Sequence, residues 1–416
     1  MPLQATICTG CSLLCDDVEV EVRGQEAVKV MAACSHGVER FKEAVKARPS
    51  RPTVSGREAS MDEAVEAAAE LLRSSRRPLI YDGQRSTNRA VELMVRLAEK
   101  LRGVYCAPNS ICHYTLSLDR RLTGARLDDV LEDADFIVYW ASDPSETHLR
   151  HASRYAVFPR GRGAPMGRES RVVAVVDVRE TGVMRIAQHR LIVQPGGDAE
   201  LASALRELVE GRALSAARVA GVGMEELSST ARDMARASYV AFFVGGGLIA
   251  SGRPREALSS IARLAEGLME AGKRASITPM AERLNSMGQA AVAARLGGSP
   301  SLIDYSGRGA VEAPIERLLE AGEVDAALIV KGGGLEELSM AGAEALSRIP
   351  TIALEEEAAR ALEVARVKVP VAVVGVEEGG AVTRMDGVEV ELKPPLRPPE
   401  TVVAEEEFLE RLLERL

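Results

Sequence analysis

The sequence predicts a doubly wound α/β protein: two related lobes preceded by a small cysteine-bearing domain. Three observations carry that expectation. Apolar runs end in glycine turns, amphipathic helical stretches separate them, and four of the six cysteines fall in the first 34 residues. An alternating strand suits a sheet with one wet face, whereas a continuous apolar run suits a parallel strand covered by helices on both faces. Phe136–Trp140, Val172–Val176, Val240–Val244 and Ala326–Val330 are runs of the second kind.

Along the chain, residues 1–52 read as a unit of their own. Asp16-Asp17-Val18-Glu19-Val20-Glu21-Val22 alternates as a half-buried strand does, and Pro49-Ser50-Arg51-Pro52 marks a linker. Ser60 opens a capping box with Glu63, and Val65, Ala68 and Leu72 supply one apolar helix face. Pro78-Leu79-Ile80-Tyr81 is a short strand running into Asp82-Gly83-Gln84. Val91, Met94, Val95, Ala98 and Leu101 then mark a second helix. A weak repeat follows. Asp133–Thr147 with Arg171–Pro195 gives strand, loop, strand, turn, strand, closing on Gly196-Gly197. Glu323–Leu338 with Pro350–Gly380 reproduces that order, closing on Gly379-Gly380. The expected division is therefore 1–52, then a lobe built from 53–134 plus 291–416, with 135–290 inserted as a second lobe.

Ligands of doubly wound sheets bind outside the carboxyl ends of the strands. Those ends carry Gly83, Ser142-Asp143, Asp177, Gly245-Gly246-Gly247 and Gly332-Gly333-Gly334. Glycine turns let backbone amides approach phosphates, although any one of them can simply end a strand.

Bulk properties exclude some functions. A net charge of −9, with arginines interspersed among acids and only 3% aromatics, argues against a nucleic-acid partner. No apolar run approaches the roughly 20 residues of a membrane span. Met1-Pro2-Leu3-Gln4-Ala5 shows no export signal, so the expected location is cytoplasmic.

Cys8-x2-Cys11-x3-Cys15 sets three thiols on one tight loop, and Cys34 can close a fourth corner. Four thiolates suit an iron–sulfur cubane. Structural zinc normally takes two C-x2-C knuckles, and the second is missing, although zinc and unliganded thiols stay open as alternatives. Cys112 beside His113 pairs a soft metal ligand with a proton carrier; the bland alternative is a buried cysteine next to a surface histidine. Cys106 reads as core. His148 and His151 share a helix-like stretch and read either as a metal pair or, in preference, as polar face residues that touch an anionic cofactor.

In that setting Ile7-Cys8-Thr9-Gly10-Cys11-Ser12-Leu13-Leu14-Cys15-Asp16-Asp17 resembles the opening of the formylmethanofuran dehydrogenase B-subunit family, within the molybdopterin oxidoreductase and formate dehydrogenase-like enzymes. The resemblance continues through Tyr81–Arg89, Arg150–Gly161, Val175–Thr181, Gln194–Asp198 and Thr383–Val388. It implies a [4Fe–4S] cluster on Cys8, Cys11, Cys15 and Cys34, and tungsten or molybdenum held by Cys112 in a bis(pyranopterin guanine dinucleotide). His113 and Arg283 would join Cys112 in catalysis, interconverting carbon dioxide and formate by two-electron transfer. Cofactor contacts are then expected at Gly83, Gln84, Thr87, Asn285, Gly333, Gly380 and Arg384. A second group is Asp143, His148, Asp177, Arg179, Thr181, Gly196, Asp198, Gly246 and Gly247.

The chain ends soon after Pro394-Pro395-Leu396, without residues for a pterin-covering β-barrel. The resemblance therefore implies a separate β-barrel subunit, with amidohydrolase-like and ferredoxin-like electron-transfer subunits as further partners. Three positions depart from the family pattern. Tyr114 follows the Cys-His pair where glycine is usual, Ala281 stands where an arginine is expected, and His36 replaces a basic residue after the fourth cysteine. They leave two other readings open: a non-catalytic scaffold that keeps cluster and fold, and a pterin oxidoreductase with another substrate.

Overall fold

The computed structural model describes residues 3–416 apart from 47, 308, 311–314, 333–334, 336–337 and 357–362, and omits the side chains of 309–310. Gly333, expected to meet a cofactor, lies outside the described residues. The chain forms two units. The first comprises Met1–Asn109, Arg283–Arg384 and Glu389–Leu416; the second comprises Ser110–Glu282 and Met385–Val388. The first 52 residues, expected to stand alone, fall within the first unit.

The first unit holds a nine-stranded sheet among its described residues. Its parallel part runs Val104–Cys106, Pro78–Asp82, Ala326–Val330, Thr351–Glu355, Val367–Pro370. Short antiparallel strands finish both edges, Leu302–Asp304 with Gly309–Ala310 at one and Thr53–Val54 with Arg57–Glu58 at the other. Successive residues of a strand point to opposite faces, and each face is dry. Ile80, Leu328 and Ile352 pack with Val91, Met94 and Phe408 on one side. Tyr81, Ile329 and Ala353 pack with Leu318, Leu319 and Leu346 on the other. That is why these strands read as unbroken apolar runs. The helix Met61–Ser74 starts at the expected box, with Ser60 N donating to Glu63 Oε2 at 2.7 Å and Glu63 N to Ser60 Oγ at 3.2 Å.

The second unit holds a five-stranded, wholly parallel sheet in the order His189–Ile192, Val172–Asp177, Phe136–Trp140, Tyr239–Gly245, Arg274–Met280. The last strand is absent from the sequence expectation because Ser276, Thr278 and Pro279 break its apolar run. Ser276 is nonetheless buried, within 2.7 Å of the Tyr239 hydroxyl, and Pro279 is tolerated because the strand lies at an edge. Arg171 is 1% exposed and caps three carbonyls, those of Ala134 at 2.8 Å, Leu131 at 3.1 Å and Pro159 at 3.3 Å.

The two sheets share one spatial plan with different connectivity. In each, three consecutive parallel strands of the repeat lie side by side, and a further pair of strands continues the sheet beyond the first of them. The pair precedes the repeat in the first unit and follows it in the second. The matching extends to the backbone. Lys331 N donates to Leu354 O at 2.7 Å as Ala141 N does to Val176 O at 2.7 Å, and both residues have left-handed φ, 58° and 50°.

The N-terminal segment forms a three-stranded antiparallel sheet, Gln4–Thr6, Val18–Arg23 and Glu26–Met31, followed by the helix Ser35–Lys42. Val18 and Val20 face inward, as their alternation requires. No helix among the described residues is long and apolar enough to cross a membrane.

Candidate functional site

The cysteine loop joins the first two strands of the N-terminal sheet. Cys8 N donates to Cys15 O at 2.9 Å and Leu14 N to Cys11 O at 3.3 Å, closing the loop, while Gly10 N–H points at Cys8 Sγ at 3.4 Å. Cys34 begins the helix Ser35–Lys42, and two glycines let that helix press on the loop. A Cβ on Gly37 would stand 2.9 Å from Cys8 Sγ, and one on Gly10 3.1 Å from the His36 backbone. Burial pushes the Cys8 thiol up to about 12, opposed by the Gly10 amide and reinforced by Cys15 and Cys34. Cys11 is likewise raised, by burial first and then by Cys8, Cys15 and Cys34. All four sulfurs thus lie within one electrostatic neighbourhood. Among the described residues no group of three or more His, Cys, Asp or Glu side chains surrounds a single ion. A cubane makes a different demand, one thiolate per iron, and four clustered sulfurs with an N–H···S contact are the donor chemistry it needs.

Strand order locates the ligand crevices. In the second unit the order reverses between Phe136–Trp140 and Tyr239–Gly245, the point where doubly wound sheets bind nucleotides. A cleft of about 340 Å³ lies there, lined among others by Ser142, Asp143, Asp177, Arg179, Gly246 and Gly247. Gly245 and Gly247 are needed for packing, because a Cβ would meet Ala141 O at 2.4 and 2.9 Å. Gly246 has open space instead. Asp177 ends the second strand, the place from which such folds hold a ribose hydroxyl, and its carboxyl is raised by burial. The Thr181 hydroxyl is buried without a hydrogen-bond partner. These features fit a nucleotide end.

Other expected contacts in this unit have structural duties. Asp143 ties two loops, accepting from Ser145 N at 3.0 Å and Gly182 N at 2.9 Å. Asp198 accepts from Trp140 Nε1 at 2.8 Å. Arg179 pairs with Glu146 at 3.1 Å on the surface, and Gly196 turns with φ 78°. His148 and His151 are fully buried, not on a polar face. His148 bonds the Thr147 hydroxyl at 2.9 Å and Ala281 O at 3.1 Å, while His151 Nδ1 lies 2.9 Å from the Tyr139 hydroxyl.

In the first unit the order reverses between Pro78–Asp82 and Ala326–Val330. Asp82 and Gly83 both take positive φ there, 85° and 107°. Asp82 is wholly buried with Oδ2 unpartnered, and burial raises its carboxyl against the opposing charge of Arg283. Gln84 donates to Pro108 O at 2.7 Å and accepts from Arg283 at 3.1 Å. Asn285 binds Ser86 O at 2.7 Å and Thr383 N at 2.7 Å, so it stitches loops together. Thr87 caps the helix Asn88–Lys100 and donates to Glu406, with Gly380 packed against both. Arg384 directly follows the strand Gly380–Thr383. Arg283 therefore belongs to the first unit and to Gln84, whereas Ala281 belongs to the second.

Cys112 and His113 lie in the short helix Ile111–Thr115 of the second unit, capped by Ser110, whose hydroxyl accepts from Cys112 N at 3.3 Å. Both are buried, and burial lifts the Cys112 thiol to about 12, opposed by Ser110. The Tyr114 ring lies 5.3 Å beneath the Arg255 guanidinium. Two residues along a helix turn a side chain by about 200°, which directs the ring away from the Cys112 face.

Sequence reasoning missed several residues at the first unit's switch point. Glu355 takes the place that Asp177 has in the second unit, with Val371 N donating to Glu355 O at 3.0 Å as Val193 N does to Asp177 O at 2.9 Å. Lys331 and Glu356 stand where the second unit has Ala141 and Val178, and they join a buried ion network with Arg40 and Glu405. The available signal was charge set directly after an apolar run, in Ile329-Val330-Lys331 and Ala353-Leu354-Glu355-Glu356.

Comparison with known proteins agrees with this geometry. No family model matches the chain. The B-subunit of the tungsten-containing formylmethanofuran dehydrogenase 2 of Methanocaldococcus jannaschii is 30% identical over 428 aligned residues, covering 99% of this chain and 97% of the relative. Its counterpart from Methanococcus maripaludis is 29% identical, covering 99% and 98%. Among solved structures, the formyltransferase/hydrolase complex of Methylorubrum extorquens with methylofuran matches with a TM-score of 0.68 at 22% identity, over 88% of this chain and 98% of the other. Acetylene hydratase from Pelobacter acetylenicus matches with a TM-score of 0.65 at 12% identity, over 99% of this chain and 69% of the other. End-to-end likeness to its curated relatives, together with the shared α/β fold, makes this chain a member of the formylmethanofuran dehydrogenase B-subunit family.

Proposed function

We propose that this chain is the tungsten- or molybdenum-pterin subunit of a formylmethanofuran dehydrogenase-like complex, interconverting carbon dioxide and formate through a [4Fe–4S] cluster. The observation that carries the reading is the gathering of Cys8, Cys11, Cys15 and Cys34, with Cys112 buried on a short helix, in a chain aligned end to end with tungsten-containing relatives. The four N-terminal cysteines would hold the cluster. Cys112 would ligate the metal, and the bis(pyranopterin guanine dinucleotide) would supply two-electron chemistry at it. The chain's own part is binding, orientation and proton handling. Asp177 and Thr181 offer a half-buried carboxylate and a buried hydroxyl to one nucleoside, and Gly246 leaves room for its phosphates. Glu355 is the equivalent carboxylate for the second nucleoside. His113, next to Cys112, holds or moves the proton that accompanies the electrons. One neighbour is part of a formyltransferase/hydrolase complex, which supports a multi-subunit assembly; the partners proposed in it are a β-barrel subunit over the pterins and amidohydrolase-like and ferredoxin-like subunits.

Ala281 favours a second reading. A methyl group cannot clamp a carboxylate, and its carbonyl is held by His148. A scaffold that has lost formate chemistry, or a pterin enzyme for another substrate, would look like this. Metal analysis of the co-expressed complex separates them. Iron with tungsten or molybdenum, plus formate-dependent viologen reduction lost in Cys112→Ser, supports the enzyme. Iron alone supports the scaffold. Both metals without formate oxidation point to another substrate.

A further inference from the structure

The two sheets share a plan but differ at the switch point, where the second unit has an open cleft and the first an ion network. Lys331 is wholly buried, with its Nζ 2.5 Å from Glu405 and 4.0 Å from Glu356. Glu356 is matched separately by Arg40, at 2.9 and 3.1 Å, and faces Arg85 at 3.6 Å. On the neighbouring turn, Glu377 is paired with Arg48. Each of these cations thus faces another carboxylate, and among the described residues Glu378 makes no ion pair of its own. Glu378 accepts backbone N–H groups at the start of the helix Glu405–Arg415, including Glu406 N at 3.5 Å, while its Oε2 is buried without a hydrogen-bond partner. Apart from the Lys331 ion pair, neither carboxylate oxygen of Glu405 meets a hydrogen-bond donor among the described residues. An unmatched buried carboxylate is costly, and the usual escape is to hold a proton.

We propose that Glu378 is a neutral, proton-bearing acid in this network, and that it releases its proton when the neighbouring cysteine loop becomes more positive. The link to the loop is physical. Arg40, which binds Glu356, also donates to Thr9 Oγ1 at 3.3 Å and Val374 O at 3.2 Å, and Thr9 lies between Cys8 and Cys11. The charged groups facing Glu378 are Lys331, Glu405 and Glu406, with the Glu356–Arg40–Arg85 group behind Lys331. Burial raises the Glu378 carboxyl, Lys331 opposes that, and Glu405 reinforces it. Half-buried Glu406, bound to the Thr87 hydroxyl, stands on the same first turn. The step balances. An iron–sulfur group held by the loop would supply one-electron chemistry, and one proton leaving Glu378 for water would offset the loss of one electron from that group, keeping the charge of the region unchanged. The link rests on the cluster reading of the four cysteines; the neutral acid does not.

The test begins with melting of the full chain, wild type against Glu378→Gln, from pH 6 to pH 9. An amide mimics the protonated acid. The variant should melt no lower than wild type at pH 6 and increasingly higher as pH rises, because a raised carboxyl loses its stabilising contribution as it ionises. A variant that melts lower throughout, or fails to fold, overturns the neutral acid. The second measurement is an EPR-monitored redox titration of the assembled complex. The wild-type cluster potential should fall with pH, by up to about 59 mV per unit for one proton per electron, and the slope should vanish in Glu378→Gln. Equal slopes overturn the link. A complex without iron overturns the cluster reading and the link with it, while the melting series still decides the acid.

Discussion

Replacing Glu356 by Gln tests whether the buried network stabilises the first unit as its geometry demands. Glu356 is 1% exposed and takes two hydrogen bonds from Arg40, at 2.9 and 3.1 Å, with Lys331 at 4.0 Å. Burial alone would raise its carboxyl, but Arg40, Lys331 and Arg85 together bring it down to about 2. Glutamine keeps the shape and removes the charge, leaving Arg40 short of its counter-ion and Arg85 and Lys331 short of a neighbouring negative charge. Breaking a buried pair this way costs about 3–5 kcal/mol. For a unit of this size each kcal/mol moves the midpoint by roughly 2–4 °C, so melting at pH 7 should drop by about 6–20 °C. The pH dependence fixes the cause. A carboxylate with a depressed pKa contributes stability that is present above its ordinary value of 4.5 and is lost as pH falls through about 2. The gap between wild type and variant should therefore shrink steadily below pH 4. Calorimetry at pH 7, 4 and 3 reads both effects. A loss under about 1 kcal/mol at pH 7, or a gap that widens in acid, refutes the reasoning.

Other perturbations separate packing from ligand binding. Gly375 has φ 78°, and a Cβ there would lie 2.3 Å from the Thr9 methyl group; Gly375→Ala should displace the cysteine loop and lower iron content per chain without dissolving either sheet by circular dichroism. Arg171→Ala orphans three buried carbonyls and should cost about 3 kcal/mol in urea unfolding; Arg171→Lys should rescue little, because one ammonium cannot span the fork. Asp177→Ala should weaken GDP binding by about 1.5–3 kcal/mol in calorimetry, the worth of a hydrogen bond to a charged group, and unchanged affinity would remove Asp177 from the nucleotide site.

Much of this protein was legible in one dimension. Strands buried on both faces must be apolar at every position, so Phe136–Trp140 and Ala326–Val330 announced a parallel sheet. The capping box at Ser60 and the stripe from Val91 to Ala98 placed helices because caps and helical periodicity are local. The cysteine spacing set three thiols on one tight loop because Cys8, Cys11 and Cys15 are near neighbours in the chain. Tertiary structure alone decided the rest. The edge strand Arg274–Met280 is polar in sequence and buried in the fold because Tyr239 satisfies Ser276. Gln84, Thr87 and Asn285, read as cofactor contacts, also hold together segments distant in sequence, through Pro108, Glu406 and Ser86. The charges of Lys331, Glu356, Glu378 and Glu405 become one network only when strand ends and the last helix converge. Hydrophobic pattern and caps act between near neighbours, so a sequence displays them directly. Charge pairing in the interior depends on which distant side chains share a space without water, and only the folded chain sets that.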